Sequence, residues 1–244
     1  MKIVAWGDST VLMIQGPCTY QESWEYLLMR DALGQTMTVS DYGYDGQYPT
    51  IPRTYTGADY TMVNRGIGGW TTAWMLRDLA AYVLVHDPDY VIILGGANDG
   101  GYYEGITSAT AANNIIATAQ ACVAAGAVPV LCTCPGVTGS GHSTWFADFN
   151  ARLSTAAASN GWTIADVYSA IRNPDFSLKS GTTTDGTHFT VTGSAAVATK
   201  FTAAMFPALA PTLTATAGSD HITLTWPDTA TGEDGWYVER RVAG

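Results

Sequence analysis

Short apolar runs alternate along the chain with longer stretches in which apolar positions recur every three or four residues. Residues 3–6, 60–63, 90–94, 128–132 and 162–167 are apolar or β-branched runs of strand length. Several are apolar on both faces, as strands buried in a parallel sheet are. Between them, 22–33, 71–85, 108–125, 145–160 and 192–206 carry the helical period, and Gly34, Gly126 and Gly161 stand where carboxyl-terminal caps belong. Strands alternating with helices of this length predict right-handed crossovers and a parallel sheet covered on both faces. The expected fold class is therefore α/β, a three-layer α/β/α sandwich. In such a sheet ligands bind beyond the carboxyl ends of the strands.

Two segments break the alternation. Residues 39–58, rich in Tyr and Pro and poor in aliphatics, read as a long irregular loop that caps a site. From Pro207 onward the period changes to two, and 213–217, 222–226 and 236–240 read as strands of a second, all-β unit. The expected division is 1–207 and 208–244, the second part being too short for a complete sandwich of about 100 residues.

Composition narrows the function. The chain has 244 residues, 47% of them hydrophobic, so it can bury a full core without staples. With 11 Lys+Arg against 21 Asp+Glu the net charge is -10, which leaves no basic face for a phosphate backbone and excludes nucleic acid as the expected partner. No apolar run approaches the roughly 18 residues of a membrane span, so no membrane insertion is expected. The chain passes from Met1 directly into its first strand, without signal-like features, which points to the cytosol and leaves the compartment open. Cys18, Cys122, Cys132 and Cys134 show no metal-ligand spacing and read as buried free thiols, with one disulfide still open.

The chemistry lies in four short blocks. Gly7-Asp8-Ser9-Thr10 follows the first strand, placing the Ser9 hydroxyl at a sharp turn on the carboxyl edge of the sheet, where a nucleophile or a helix cap belongs. Asn64-Arg65-Gly66-Ile67-Gly68-Gly69-Trp70 follows the second strand; its glycines leave amide N–H groups pointing outward, and it lacks the residues of a nucleotide cradle. Gly95-Gly96-Ala97-Asn98-Asp99 follows the third, where the Asn98 amide can donate to the same point or cap the next turn. In Asp185-Gly186-Thr187-His188 a carboxylate three residues before an imidazole can fix its tautomer, so that the other ring nitrogen takes a proton from Ser9. His86, His142 and His221 lack such a partner and read as structural or solvated.

In order and in element, the four blocks resemble those of the SGNH hydrolases, the GDSL esterase/lipase family, over residues 1–207. The resemblance implies Ser9 as nucleophile, His188 as general base and then acid, and Asp185 as the orienting carboxylate. It implies an oxyanion hole built from the backbone N–H of Ser9 and of Gly69 and the side chain of Asn98, with Gly68 the alternative to Gly69. No metal or organic cofactor is required. The tail resembles the start of a fibronectin type III domain in Ile222-Thr223-Leu224-Thr225-Trp226 and in 233–240, which points to a secreted setting.

The partner expected from this is a small-molecule or glycan ester. Trp70, Trp74, Tyr102 and Tyr103 follow two of the blocks and offer flat rings for sugar faces or aryl esters. No long aliphatic surface is evident for a fatty-acyl tail, so short acyl groups are expected, acetyl first, on carbohydrate. A lysophospholipase, thioesterase or arylesterase is compatible with the same blocks. A non-catalytic glycan-binding or adhesion module is the reading from another class, and it has no chemical need of Asp185 and His188.

Overall fold

The computed structural model describes residues 1–12, 19–40, 43–44, 49–138, 143–207, 214–217 and 222–225. Its strands in chain order are β1 (Lys2–Gly7), β2 (Thr38–Ser40), β3 (Gly43–Tyr44), β4 (Pro49–Ile51), β5 (Arg53–Thr56), β6 (Thr61–Gly66), β7 (Tyr90–Leu94), β8 (Val128–Cys132), β9 (Thr163–Ala165), β10 (Thr214–Ala217) and β11 (Ile222–Thr225). Its helices are α1 (Ser9–Leu12), α2 (Trp24–Leu27), α3 (Thr72–Tyr82), α4 (Ala97–Gly101), α5 (Ser108–Ala124), α6 (Ser143–Asn160), α7 (Val167–Ile171) and α8 (Val191–Met205).

Seven strands form one sheet in the order β2-β5-β6-β1-β7-β8-β9. The five from β6 to β9 run parallel, as the alternation of strands and helices predicts. Successive residues of each central strand face opposite sides and feed two cores. Val4, Trp6, Val91, Ile93 and Leu131 pack under α3, α5 and α6, while Ile3, Ala5, Ile92, Leu94 and Val130 pack with Trp24 of α2 and Phe201 of α8. Helices thus cover both faces.

At one edge the parallel sheet is extended by two antiparallel strands, β5 against β6 and β2 against β5. Part of the presumed loop at 39–58 is therefore sheet. Its strand residues are Thr, Tyr and Arg rather than aliphatics, yet Arg53 and Tyr55 alternate inward and are buried. A second short hairpin, β3 with β4, lies in the same stretch, and Tyr42 and 45–48 fall outside the described residues. The helix expected at 22–33 is α2 continued by a wider turn over Leu28–Ala32, closed by Leu33 N donating to the Leu28 carbonyl at 3.2 Å. The strand expected to reach Val167 stops at Ala165, and Val167 opens α7. Gly34, Gly126 and Gly161 have φ of 61°, 88° and 68°, the left-handed conformation of the caps predicted for them.

In the tail, β10 and β11 pair antiparallel as the period of two implies; the third strand, at 236–240, and His221 lie outside the described residues. Cys122, Cys132 and Cys134 are buried and free, and Cys18 lies outside the described residues. No helix among the described residues is long and apolar enough to cross a membrane.

The register of three adjacent strands positions the site. Gly7 at the end of β1 is level with Gly66 on β6 and with Leu94 on β7. Neighbouring strands lie about 4.8 Å apart, so the segments that leave them emerge side by side at one edge. At Gly66 a Cβ would stand 2.1 Å from the Leu12 amide nitrogen, so the absence of a side chain there is what lets α1 rest on β6.

Candidate active site

Ser9 opens the short helix α1, two residues after β1 ends, and is 6% exposed. Asp8 braces that turn: its Oδ1 accepts from the Thr10 amide at 2.9 Å and from Thr10 Oγ1 at 2.7 Å, and its carbonyl accepts from Val11 and Leu12. Asp8 is fully buried, and its Oδ2 meets no hydrogen-bond partner among the described residues. Burial pushes its pKa up to about 6 against the lowering effect of the Thr10 bonds.

The structure brings Ser9, His188 and Asp185 together. His188 Nε2 lies 2.9 Å from Ser9 Oγ, and His188 Nδ1 lies 2.5 Å from Asp185 Oδ2. Asp185 Oδ1 accepts from the amides of Thr187 at 2.9 Å and His188 at 2.8 Å, which closes the turn around Gly186. Burial works to raise the Asp185 pKa, but the bonds from the His188 ring and from the two amides outweigh it and hold the carboxyl below its ordinary value. An ionised carboxylate on Nδ1 requires the proton there, leaving Nε2 as an acceptor for a hydroxyl proton. A hydroxyl so held can attack a carbonyl while losing its proton to the ring.

Asn98 and Gly69 come from the ends of the two strands beside β1. Asn98 Nδ2 donates to the Trp70 carbonyl at 2.9 Å, which uses one of its two protons. Gly69 has φ 78°, a conformation other residues rarely adopt, although a Cβ there would meet nothing within 4 Å. The two blocks are tied by a contact that the sequence reading missed. Buried Asp99 accepts from the Thr72 amide at 3.0 Å and from Thr72 Oγ1 at 2.6 Å. Burial raises the Asp99 pKa despite these bonds.

The model of the GDSL-like Lipase/Acylhydrolase family matches residues 31–196. The chain belongs to that family. The matched span of this GDSL hydrolase includes Gly69, Asn98, Asp185 and His188 and begins after Ser9. Its fold is similar to that of the lipase/acylhydrolase from Enterococcus faecalis, at 22% identity and a TM-score of 0.62, over 82% of this chain and 92% of that one. It is also similar to a lipolytic protein of the G-D-S-L family from Desulfitobacterium hafniense DCB-2, at 18% identity and a TM-score of 0.63, over 82% and 96%. The acetyl xylan esterase AlAXEase matches at 18% identity and a TM-score of 0.63, over 82% and 98%. A comparison with curated proteins finds no match.

The aromatic residues expected at the substrate separate into two groups in this GDSL hydrolase. Trp70 is 6% exposed and meets Trp6 at 5.5 Å and Tyr82 at 5.6 Å in T-shaped contacts. Its ring is part of the core cluster under α3 and α5. Trp74, Tyr102 and Tyr103 are exposed, and Trp74 and Tyr103 meet edge to face at 5.9 Å. The Tyr103 hydroxyl points to the Gly69 carbonyl at 3.5 Å, which sets this pair beside the glycine block.

A buried polar network behind α1 also escaped the sequence reading. Asn64 Nδ2 donates to the Val11 carbonyl at 2.6 Å and to Glu25 Oε1 at 2.7 Å, and Asn64 Oδ1 accepts from the Gly66 amide at 2.9 Å. One side chain therefore joins the helix that carries Ser9 to the strand that leads to Gly69. Glu25 is fully buried, and burial pushes its pKa up to about 8. The signal available was Asn64 itself, already inside the second block; nothing local marks Glu25.

Proposed function

We propose that the protein is a serine esterase that removes short acyl groups, acetyl first, from carbohydrate. The observation that carries this reading is the unbroken series of hydrogen bonds from Ser9 Oγ through His188 to Asp185. Ser9 Oγ attacks the ester carbonyl as its proton passes to His188 Nε2, forming a tetrahedral oxyanion. The amides of Ser9 and Gly69 and the Asn98 side chain receive the negative charge; one such donor is worth about 3 to 4 kcal/mol in the transition state. The C–O bond to the alcohol then breaks, and the alcohol leaves with the proton from His188. Water, deprotonated by His188, attacks the acyl-enzyme and returns the serine with release of the acid.

The carbohydrate part of the reading rests on the exposed rings of Trp74, Tyr102 and Tyr103. It is in keeping with a fold neighbour named as an acetyl xylan esterase. For the tail, 208–244, the fibronectin type III reading rests on the sequence of 222–226 and 233–240 alone.

The test is acetate release from a panel of acetylated polysaccharides beside p-nitrophenyl acetate, with covalent labelling of Ser9 by a fluorophosphonate. Release from a glycan together with labelling is the expected result. Aryl-ester turnover without glycan release keeps the mechanism and moves the substrate to small or lipid esters; absence of labelling favours a binding module. Trp74→Ala is expected to raise KM for the glycan by about tenfold, corresponding to roughly 1.4 kcal/mol of ring contact. Its KM for p-nitrophenyl acetate should stay unchanged, and an equal rise for both esters would remove Trp74 from sugar recognition.

A further inference from the structure

The turn that presents Asp185 and His188 is itself held from below. Arg172 follows α7, is 3% exposed, and directs its guanidinium to three main-chain carbonyls from three separate segments. Nε donates to Pro135, Nη1 to Phe176 at 2.8 Å and Nη2 to Gly186 at 3.2 Å. Among the described residues no carboxylate pairs with it. A buried cation is costly without partners, and here its partners are carbonyl oxygens alone. The planar fork of Arg can reach three fixed acceptors, which the single ammonium of Lys cannot do.

The surroundings have been shaped to this contact. Phe176 adopts φ 70°, a left-handed conformation uncommon for a bulky residue, and in that conformation both its ring and its carbonyl meet Arg172. The guanidinium carbon lies 4.2 Å from the centre of the Phe176 ring. On the other side, the Gly186 carbonyl accepts a second bond from Thr138 Oγ1 at 3.2 Å. Gly186 has φ 85°, and a Cβ there would stand 2.0 Å from Thr138 Oγ1. Gly186 is the link between Asp185 and the two residues whose amides bond back to that carboxylate.

We infer that Arg172 is a positioning residue for the acid–base pair, fixing through the Gly186 carbonyl the height at which His188 meets Ser9. The inference rests on the proposed roles of Ser9, His188 and Asp185. A displacement of about 1 Å at a reacting group can cost about 100-fold. Substrate binding by the rings on α3 and beyond α4 does not pass through this turn, so the loss falls on kcat.

The experiment measures kcat and KM for p-nitrophenyl acetate in Arg172→Lys beside wild type and Ser9→Ala, with circular dichroism to establish that each variant is folded. A fall in kcat of about 10- to 100-fold with KM within about twofold is the expected result, and fluorophosphonate labelling of Ser9 should slow in parallel. A folded Arg172→Lys with wild-type kcat, or with its whole loss in KM, overturns the inference. Should Arg172→Lys fail to fold, Thr138→Val decides: it removes the second donor to Gly186 at an exposed position, and kcat must fall with KM unchanged. An active Ser9→Ala would overturn the underlying mechanism instead, whatever Arg172 does.

Discussion

Ser9→Ala and His188→Ala are each expected to lower kcat by about 10⁶-fold, and the double variant is expected to be no slower than either. The reason is the single hydrogen bond of 2.9 Å between them. Without the imidazole the hydroxyl keeps its proton, and without the hydroxyl the imidazole has nothing to receive. Either change removes the same event. Asp185→Asn is expected to cost less, about 10⁴-fold, because the base remains while its tautomer is no longer imposed. Steady-state kinetics of the four proteins on one aryl ester checks this. Losses that multiply in the double variant would show that Ser9 and His188 act independently.

The second large effect concerns stability. Glu25 has an ordinary pKa of 4.5, which burial pushes up to about 8 in the folded protein. Below pH 4.5 the carboxyl is protonated whether the chain is folded or not, and the group costs nothing. Between pH 4.5 and 8 the unfolded chain gives up this proton while the folded chain keeps it, so stability falls as pH rises. At about 1.4 kcal/mol per unit, the loss across that window is on the order of 5 kcal/mol. Glu25→Gln preserves an oxygen for Asn64 and cannot ionise. Its extra buried N–H costs about 1 to 3 kcal/mol at every pH. Relative to wild type, the variant's Tm should therefore climb by about 10 to 20 °C between pH 4 and pH 8. A difference in Tm that stays constant over this range would place Glu25 in contact with water or with a compensating cation.

The sequence carried the parallel strands and the four blocks because both are local signals. Residues 90–94 and 128–132 are apolar without interruption, as a strand covered on both sides must be, and their limits coincide with β7 and β8. Three of the blocks were legible because each is fixed by where its strand ends, and the fourth by the spacing of Asp185 and His188 before α8. What could not be read are interactions between residues far apart in the chain. β5 is held by its partner β6 and by the burial of Arg53 and Tyr55, not by an aliphatic pattern. Trp70 looked like a surface ring because it follows a glycine turn, and only the packing of Trp6 and Tyr82 around it shows that it is core. Glu25 and Arg172 carry no local mark at all, since what makes them notable is their burial in the fold, Glu25 against Asn64 and Arg172 against main-chain carbonyls.

Ser9 and His188 stand 179 residues apart, yet their contact is a single hydrogen bond. A chain leaving the ribosome exposes its serine 179 residues before its imidazole. Contacts of such wide separation form late, after loop closure has been achieved by the rest of the fold. Under the proposed mechanism, turnover in a refolding protein therefore reports the docking of the turn that carries His188 against Ser9 rather than the formation of the sheet.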